Sequence, residues 1–175
     1  MSFPSFTHQI AQLSAEHDRA DFCSGSEPLD RYLRERANQD FKRYVATPFV
    51  LYDLDAERIA GYYTLAATGI QFEDLPAVMR KKLPRYPMVP AILLGRLAVD
   101  ERYQGQGLGA LLLVDALRRS LMNEIVAAAV VVDAKDETAR AFYEYHNFIS
   151  FAGVPLRLFL PMTLIARQFG TSTDS

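Results

Sequence analysis

Gly105, Gly107 and Gly109 stand at alternate positions, between an apolar run ending at Val99 and a long helix-like run from residue 107 onward. Without side chains there, the backbone can turn tightly and approach a ligand closely. The first amides of the helix lack intrahelical acceptors and carry the positive end of its dipole, which suits a pyrophosphate. A Walker loop would close on Gly-Lys-Ser/Thr, whereas Ala110 and Leu111 follow Gly109. A dinucleotide pattern is met by Gly105, Gly107 and Ala110, but no parallel βαβ unit opens around it, and the acidic Asp133 comes late. On the glycines alone, a phosphate cradle and a plain turn both stay open.

Other chemistry is sparse. Cys23 is the only cysteine, so no intramolecular disulfide and no Cys-based metal site can form, a pattern that fits a reducing cytoplasm. Its setting, Phe22-Cys23-Ser24-Gly25, does not mark a nucleophile. Arg80, Lys81, Lys82 and Arg85 form a basic cluster undiluted by acids. Arg31, Arg34, Arg36, Lys42 and Arg43 add positive charge around residues 27–44, diluted by Glu35 and Asp40. Such clusters can follow a phosphate backbone, or be ordinary solvated faces.

These residues need a scaffold. The 175 residues suffice for one domain with a core, expected over residues 1–170, with a small polar tail at 171–175. Half the residues are apolar, 23% are charged, and the net charge of −2 selects no partner class. Residues 1–14 carry no basic stretch followed by an apolar core, and so do not read as a secretory leader. The longest apolar run, residues 125–132, is too short for a bilayer and reads as a buried strand.

Residues 27–44 read as a helix, with Leu29, Tyr32, Leu33, Ala37 and Phe41 on one face, Ser26 as its cap and Pro28 in its first turn. Residues 48–53 and 58–68 read as a hairpin. Residues 69–90, broken by four prolines, read as irregular with a short helix near 75–83. There follow a strand at 91–99, a turn at 100–106, a helix at 107–123, a strand at 125–133 and a helix at 136–145. Strands at 148–151 and 156–161 close the chain. That order predicts an α/β fold with a mixed sheet.

Gln104-x-x-Gly107-x-Gly109 resembles the acetyl-CoA signature of the GNAT N-acetyltransferase superfamily. Its context matches on both sides. Leu97-Ala98-Val99 precedes it, and Asp133-Ala134-Lys135-Asp136-x-x-Ala139-x-x-Phe142-Tyr143-x-x-x-Asn147-Phe148 looks like the family's last helix. Asp136 stands where Asn is common and Asn147 where Gly is common. Both types still suit a helix cap and a left-handed terminator. The resemblance covers nearly the whole chain and implies a single-domain GNAT fold, whose central mixed sheet is flanked by helices and splays between its fourth and fifth strands. It further implies that the Leu97 and Val99 backbone pairs with pantetheine, and that Gln104, Gly105, Gly107, Gly109 and Ala110 hold the pyrophosphate, with Asp136 nearby. No metal is implied.

Acetyl transfer to an amine needs a neutral amine, a stabilised oxyanion and a proton for the leaving thiolate. The family places Tyr143 beside the CoA sulfur. A phenol of pKa about 10 is protonated at neutral pH and can protonate a thiolate whose conjugate thiol has a pKa of about 8.5. The Val99 amide suits the oxyanion. Glu73, Asp74 and His146 read as loop or surface residues rather than as a general base. An α-amine of pKa about 8 is already partly neutral, so it fits a site without one.

A narrower resemblance rests on several blocks: Phe22-x-x-Gly25-x-x-x-Leu29-Asp30-x-Tyr32-Leu33, Ala60-Gly61-Tyr62-Tyr63-Thr64-Leu65, Leu94-Gly95-Arg96-Leu97-Ala98-Val99-Asp100, Asp115-Ala116-Leu117-x-Arg119, Val132-Asp133-Ala134-Lys135, and Pro155-Leu156-x-Leu158-x-Leu160-Pro161-Met162. These are similar to the GNAT toxins of toxin–antitoxin pairs, which acetylate the α-amine of aminoacyl-tRNA. That likeness implies three partners: aminoacyl-tRNA, a ribbon–helix–helix antitoxin and a second copy of the chain. Independently of that likeness, the basic run Arg80, Lys81, Lys82 and Arg85 offers candidate substrate contacts, and Arg96 in the strand either orients substrate or pairs with an acid. The alternatives are a GNAT enzyme acting on a small-molecule or protein amine, and a non-catalytic acyl-CoA-binding module.

Overall fold

The computed structural model describes residues 4–170. The chain forms a mixed α/β architecture around a seven-stranded sheet in the order β1-β2-β3-β4-β5-β7-β6. Its strands are β1 (His8–Gln12), β2 (Thr47–Asp53), β3 (Arg58–Gln71), β4 (Met88–Val99), β5 (Ala129–Asp133), β6 (Ile149–Phe151) and β7 (Val154–Pro161). Its helices are α1 (Glu27–Arg31), α2 (Ala37–Lys42), α3 (Ala77–Arg80), α4 (Leu108–Leu121), α5 (Glu137–Tyr145) and α6 (Met162–Gln168). The chain divides into two compact units, residues 1–66 with 95–116, and residues 67–94 with 117–175.

In the first unit, β1 pairs antiparallel with β2, and β2 with β3, so the expected hairpin is present. Its loop is shaped by Asp53, whose carboxylate accepts the amides of Asp55 and Ala56 at 2.9 and 3.0 Å. A cluster of Phe22, Tyr32, Leu33, Val50, Ile59, Tyr62 and Ala98 forms its core. Buried side chains of this size contribute about 1.5–3 kcal/mol each. The helix expected over residues 27–44 is helical from Glu27 to Lys42, but it is not uniform. A π-helical turn, Tyr32–Arg36, separates α1 from α2, with the Ala37 amide bonded to the Tyr32 carbonyl. Ser26 occupies the cap position without a side-chain capping bond. The Asp30 carboxylate instead gathers the Ser24 amide and hydroxyl, at 2.9 and 2.6 Å. β1 was not legible beforehand, because His8–Gln12 has only a weak apolar alternation.

In the second unit, β4 runs parallel to β5 through rows from Ala91/Ala129 to Leu94/Val132, and β4 continues past them to Val99. β5 pairs antiparallel with β7, and β7 with β6. Ile70, Val89, Ala91, Val131, Phe151 and Phe159 anchor the core. Several expected boundaries move. The segment at 69–90 is less irregular than its prolines suggest, since β3 reaches Gln71 and β4 starts at Met88, with Pro90 exposed within it. The strand expected from residue 125 begins only at Ala129, and Ile125 and Val126 are 79% and 82% exposed, which corrects the reading of residues 125–132 as one buried strand. Apolar type alone does not pair a strand; a neighbour in register does. The C-terminal α6, with Ile165 and Ala166 buried, was also not anticipated. The expected tail at residues 171–175 lies outside the described residues. Among the described residues no helix is long and apolar enough to cross a membrane.

Candidate functional site

The loop between β4 and α4 is built by its flanks. Asp100, 1% exposed, receives the Arg102 amide, Nε and a terminal guanidinium nitrogen, each at 2.9 Å, and the Cys23 amide at 3.1 Å. Burial pushes its carboxyl up, but these bonds from Arg102 and Cys23 outweigh it and hold the group below the usual range. Arg102 also reaches Asp21 at 3.1 Å. The Glu101 amide returns a bond to the Cys23 carbonyl at 2.8 Å. Tyr103, which closes the 3-10 turn Glu101–Tyr103, donates its hydroxyl proton to the buried Asp53 at 2.5 Å. Cys23 itself is an exposed free thiol whose Sγ lies 3.7 Å from Glu101 Oε2.

Gln104 follows. Its side-chain amide donates to the Ser24 carbonyl at 2.9 Å and the Val99 carbonyl at 3.0 Å. Both side-chain protons are thereby used inside the protein, so Gln104 braces the loop.

Gly105 and Gly107 adopt φ of +81° and +76°, the left-handed region where a side chain costs about 1–2 kcal/mol. A Cβ added at either would meet nothing within 4 Å, so the glycines are required by conformation, on an open face. The Leu111 amide bonds to the Gly107 carbonyl, which starts the α4 ladder and leaves the amides of Leu108, Gly109 and Ala110 without an intrahelical acceptor. These donors converge where an anion would sit.

The end of β4 presents a second row of donors and acceptors. The Asp100 amide bonds to the Ala60 carbonyl at 2.9 Å, which fixes the edge of β4 that faces β3. Strand alternation turns Val99 and Leu97 the other way, and the Gln104 bond to the Val99 carbonyl lies on that edge. Gly61 lets α4 lie close here. A Cβ on it would stand 2.8 Å from Leu112 Cδ1 and 2.9 Å from the Ala98 carbonyl oxygen.

In the second unit, Tyr143 lies on α5 and is 7% exposed, with edge-on contacts to Phe142 and Phe148. Its hydroxyl has no hydrogen-bond partner among the described residues, and burial alone pushes its pKa well above the tyrosine range. Asp136 caps α5 by accepting the Ala139 amide at 2.8 Å. Asn147 takes φ +73°, and the Phe148 amide bonds back to the Tyr143 carbonyl, which pins the helix end beneath that tyrosine. Tyr145 is 82% exposed. Arg80, Lys81, Lys82 and Arg85 are all exposed and form no ion pair among the described residues. Arg96 belongs to the first unit, where its guanidinium carbon lies 3.5 Å from the centre of the Tyr32 ring. Glu73 and Asp74 are exposed, and burial lowers the pKa of His146. No group of three or more His, Cys, Asp or Glu among the described residues is placed to hold a metal.

Sequence reasoning missed the Asp100–Arg102 pair and the Tyr103–Asp53 bond. Asp100 at the very end of an apolar strand was the one visible signal.

Comparison with known proteins decides the family. The GNAT acetyltransferase domain matches residues 46–150, more than half of the chain. The chain belongs to the GNAT acetyltransferase family. This acetyltransferase is 38% identical over 153 residues to the tRNA-acetylating toxin of Mycobacterium tuberculosis, a match covering 86% of this chain and 90% of that one. It is also similar to AtaT complexed with acetyl-methionyl-tRNAfMet, with a TM-score of 0.86 and 29% identity over 93% of this chain and 99% of that one. A tyrosine-to-phenylalanine mutant of AtaT, bound to acetyl-CoA and the C-terminus of the antitoxin AtaR, matches with a TM-score of 0.79 and 26% identity, covering 93% of this chain and 98% of that one. The acetyltransferase fold and the N-acetyltransferase class expected from residues 104–109 and 133–148 are both met.

Proposed function

We propose that this acetyltransferase is a toxin that moves the acetyl group of acetyl-CoA onto the α-amine of aminoacyl-tRNA and so blocks translation. The observation that carries the acetyl-CoA half is the set of free amides at Leu108, Gly109 and Ala110 beside two left-handed glycines. The acceptor half draws on the likeness to the tRNA-acetylating toxin and to AtaT with its acetylated tRNA.

In this reading the amides of Gly105, Gly107, Gly109 and Ala110 hold the diphosphate while Gln104 braces them. The Leu97 and Val99 backbone pairs with pantetheine, and Asp136 caps the helix that carries Tyr143. The neutral amine attacks the thioester carbonyl, and the Val99 amide donates to the oxyanion. A C–N bond forms as the C–S bond breaks. The departing thiolate takes the Tyr143 proton, which solvent replaces, while the acetylated nitrogen sheds its extra proton to solvent. No strong base is needed, because an α-amine of pKa about 8 is partly neutral near pH 7. The exposed cations Arg80, Lys81, Lys82 and Arg85 follow the tRNA backbone. A ribbon–helix–helix antitoxin, a homodimer and a cytoplasmic site of action belong to the same reading; AtaT bound to the C-terminus of the antitoxin AtaR is the parallel for an antitoxin partner of any fold.

The test is direct. Purified protein is incubated with acetyl-CoA and total aminoacyl-tRNA, and the released aminoacyl groups are analysed by mass spectrometry. An acetyl mass increment on the α-nitrogen is expected. Acetylation confined to free small amines or protein termini overturns the reading.

A further inference from the structure

Arg96 lies flat on Tyr32, yet its guanidinium meets no carboxylate or carbonyl among the described residues. The support beneath it is built with care. The Tyr32 hydroxyl donates to Asp40 at 2.8 Å, and the ring stacks on Tyr62 with centroids 6.4 Å apart and planes 14° from parallel. Tyr62 in turn donates to the Leu29 carbonyl at 2.6 Å. The π-helical turn starts at Tyr32 itself, and such turns add a residue that re-aims side chains. Asp40, the acid that holds Tyr32, is already engaged by the Tyr32 hydroxyl. Stacking occupies one face of the guanidinium and leaves its edge N–H donors, the ones that fit a phosphate bidentately, without an internal acceptor.

Position adds to this. Arg96 is three residues upstream of Val99 on β4, roughly 10 Å along the strand from the amide assigned to the oxyanion. It shares the face of Ala98, which packs with Tyr32 and Tyr62, whereas Val99 alternates away. Arg36, Lys42 and Arg43 are exposed along the same helical segment and unpaired among the described residues.

We infer that Arg96, seated on Tyr32, is the anion-binding residue of the acceptor subsite and takes the phosphodiester nearest the aminoacylated end of the acceptor. The inference rests on the aminoacyl-tRNA reading and gives that reading its substrate contact. Tyr32 and Asp40 are positioning residues. The pair also explains why an arginine stands in an otherwise apolar strand: a planar, always-charged fork can be parked on a ring, whereas a lysine ammonium gains little from stacking.

Two acceptors separate the possibilities, an aminoacylated CCA trinucleotide and aminoacyl-adenosine, which carries no phosphate. For Arg96→Ala, kcat/KM with the trinucleotide should fall about 10–100-fold, as for loss of a charged hydrogen bond. The preference for trinucleotide over adenosine ester should drop toward unity, while the KM for acetyl-CoA moves less than the acceptor term. Arg96→Lys should restore part of the preference, and thermal melting reports whether each variant is folded. A preference that stays at the wild-type value in Arg96→Ala overturns the inference. So does a KM for acetyl-CoA that rises as far as the acceptor's, which assigns Arg96 to the cofactor. Wild-type protein that leaves aminoacyl-tRNA and both esters unacetylated overturns the aminoacyl reading and this inference together, whereas acetylation of aminoacyl-tRNA with none of the trinucleotide overturns this inference alone, so the two failures are told apart.

Discussion

The Gln104 side-chain amide donates to the Val99 carbonyl across 3.0 Å, tying the start of the glycine loop to the end of the strand that precedes it. The second proton of the same amide binds the Ser24 carbonyl at 2.9 Å. One side chain therefore ties the end of β4 to the loop that leads into the first amides of α4. Gln104→Ala removes both bonds, each worth about 0.5–1.5 kcal/mol net. Coenzyme A affinity, measured by calorimetry, should weaken about 10-fold. Gln104→Glu should do no better, because a carboxylate there faces two carbonyl oxygens.

Gly107→Ala and Gly61→Ala should fail in different ways. At Gly107 an added Cβ is unobstructed but φ is +76°, so the strain is about 1–2 kcal/mol and falls on the loop. Coenzyme A binding should drop while the melting temperature moves little. At Gly61 the Cβ would press on Leu112 and the Ala98 carbonyl, so differential scanning calorimetry should show the larger loss of stability. Equal melting temperatures for the two variants would contradict this account of the close approach of α4.

Tyr143→Phe should leave coenzyme A binding intact and lower kcat about 10²–10⁴-fold, the usual range for losing a general acid. Burial raises the Tyr143 pKa above the ordinary tyrosine range. The phenol therefore keeps its proton through mildly alkaline pH, and the wild-type kcat profile should show no descending limb from this group between about pH 7 and 10. Such a limb, present in the wild type and absent from the variant, would show that Tyr143 titrates early.

Acid should loosen the loop through Asp100. Its pKa is depressed in the folded state, so its stabilisation is complete above the unfolded aspartate value of about 3.9 and is lost as pH falls through the folded value. Asp100→Asn should lower stability at pH 7 and flatten the decline below about pH 4, as read by denaturant titrations across that range. A variant with the wild-type acid slope would assign the acid sensitivity elsewhere.

Reversing charge in the basic segment, with Arg80, Lys81, Lys82 and Arg85 replaced by glutamate, should raise the KM for aminoacyl-tRNA and leave that for acetyl-CoA nearly unaltered. The dependence of log KM on log salt should become shallower by about 0.7–0.9 per phosphate contact removed. These residues are solvated and unpaired among the described residues, so the fold should tolerate the change.

Much of this architecture was legible beforehand, and for local reasons. Gly105 and Gly107 declare a left-handed turn, Asp136 a helix start and Asn147 a helix stop, because each condition is met within a few residues. The hairpin around Asp53 reads the same way. Residues 125–128 were misread because apolar type alone does not pair a strand, and β1 was missed because its partner lies in β2, about forty residues on.

By itself the sequence determined the family, the glycine turn and the start and stop of the helix that carries Tyr143, since those depend on short runs with preset backbone conformations. Tertiary structure alone decided that Asp100 would gather Cys23 from 77 residues away, that Tyr103 would lock onto Asp53, and that Arg96 would rest on Tyr32 rather than pair with an acid. Those contacts depend on strand register and on which sheet face a helix covers, and both are settled only when the cores pack.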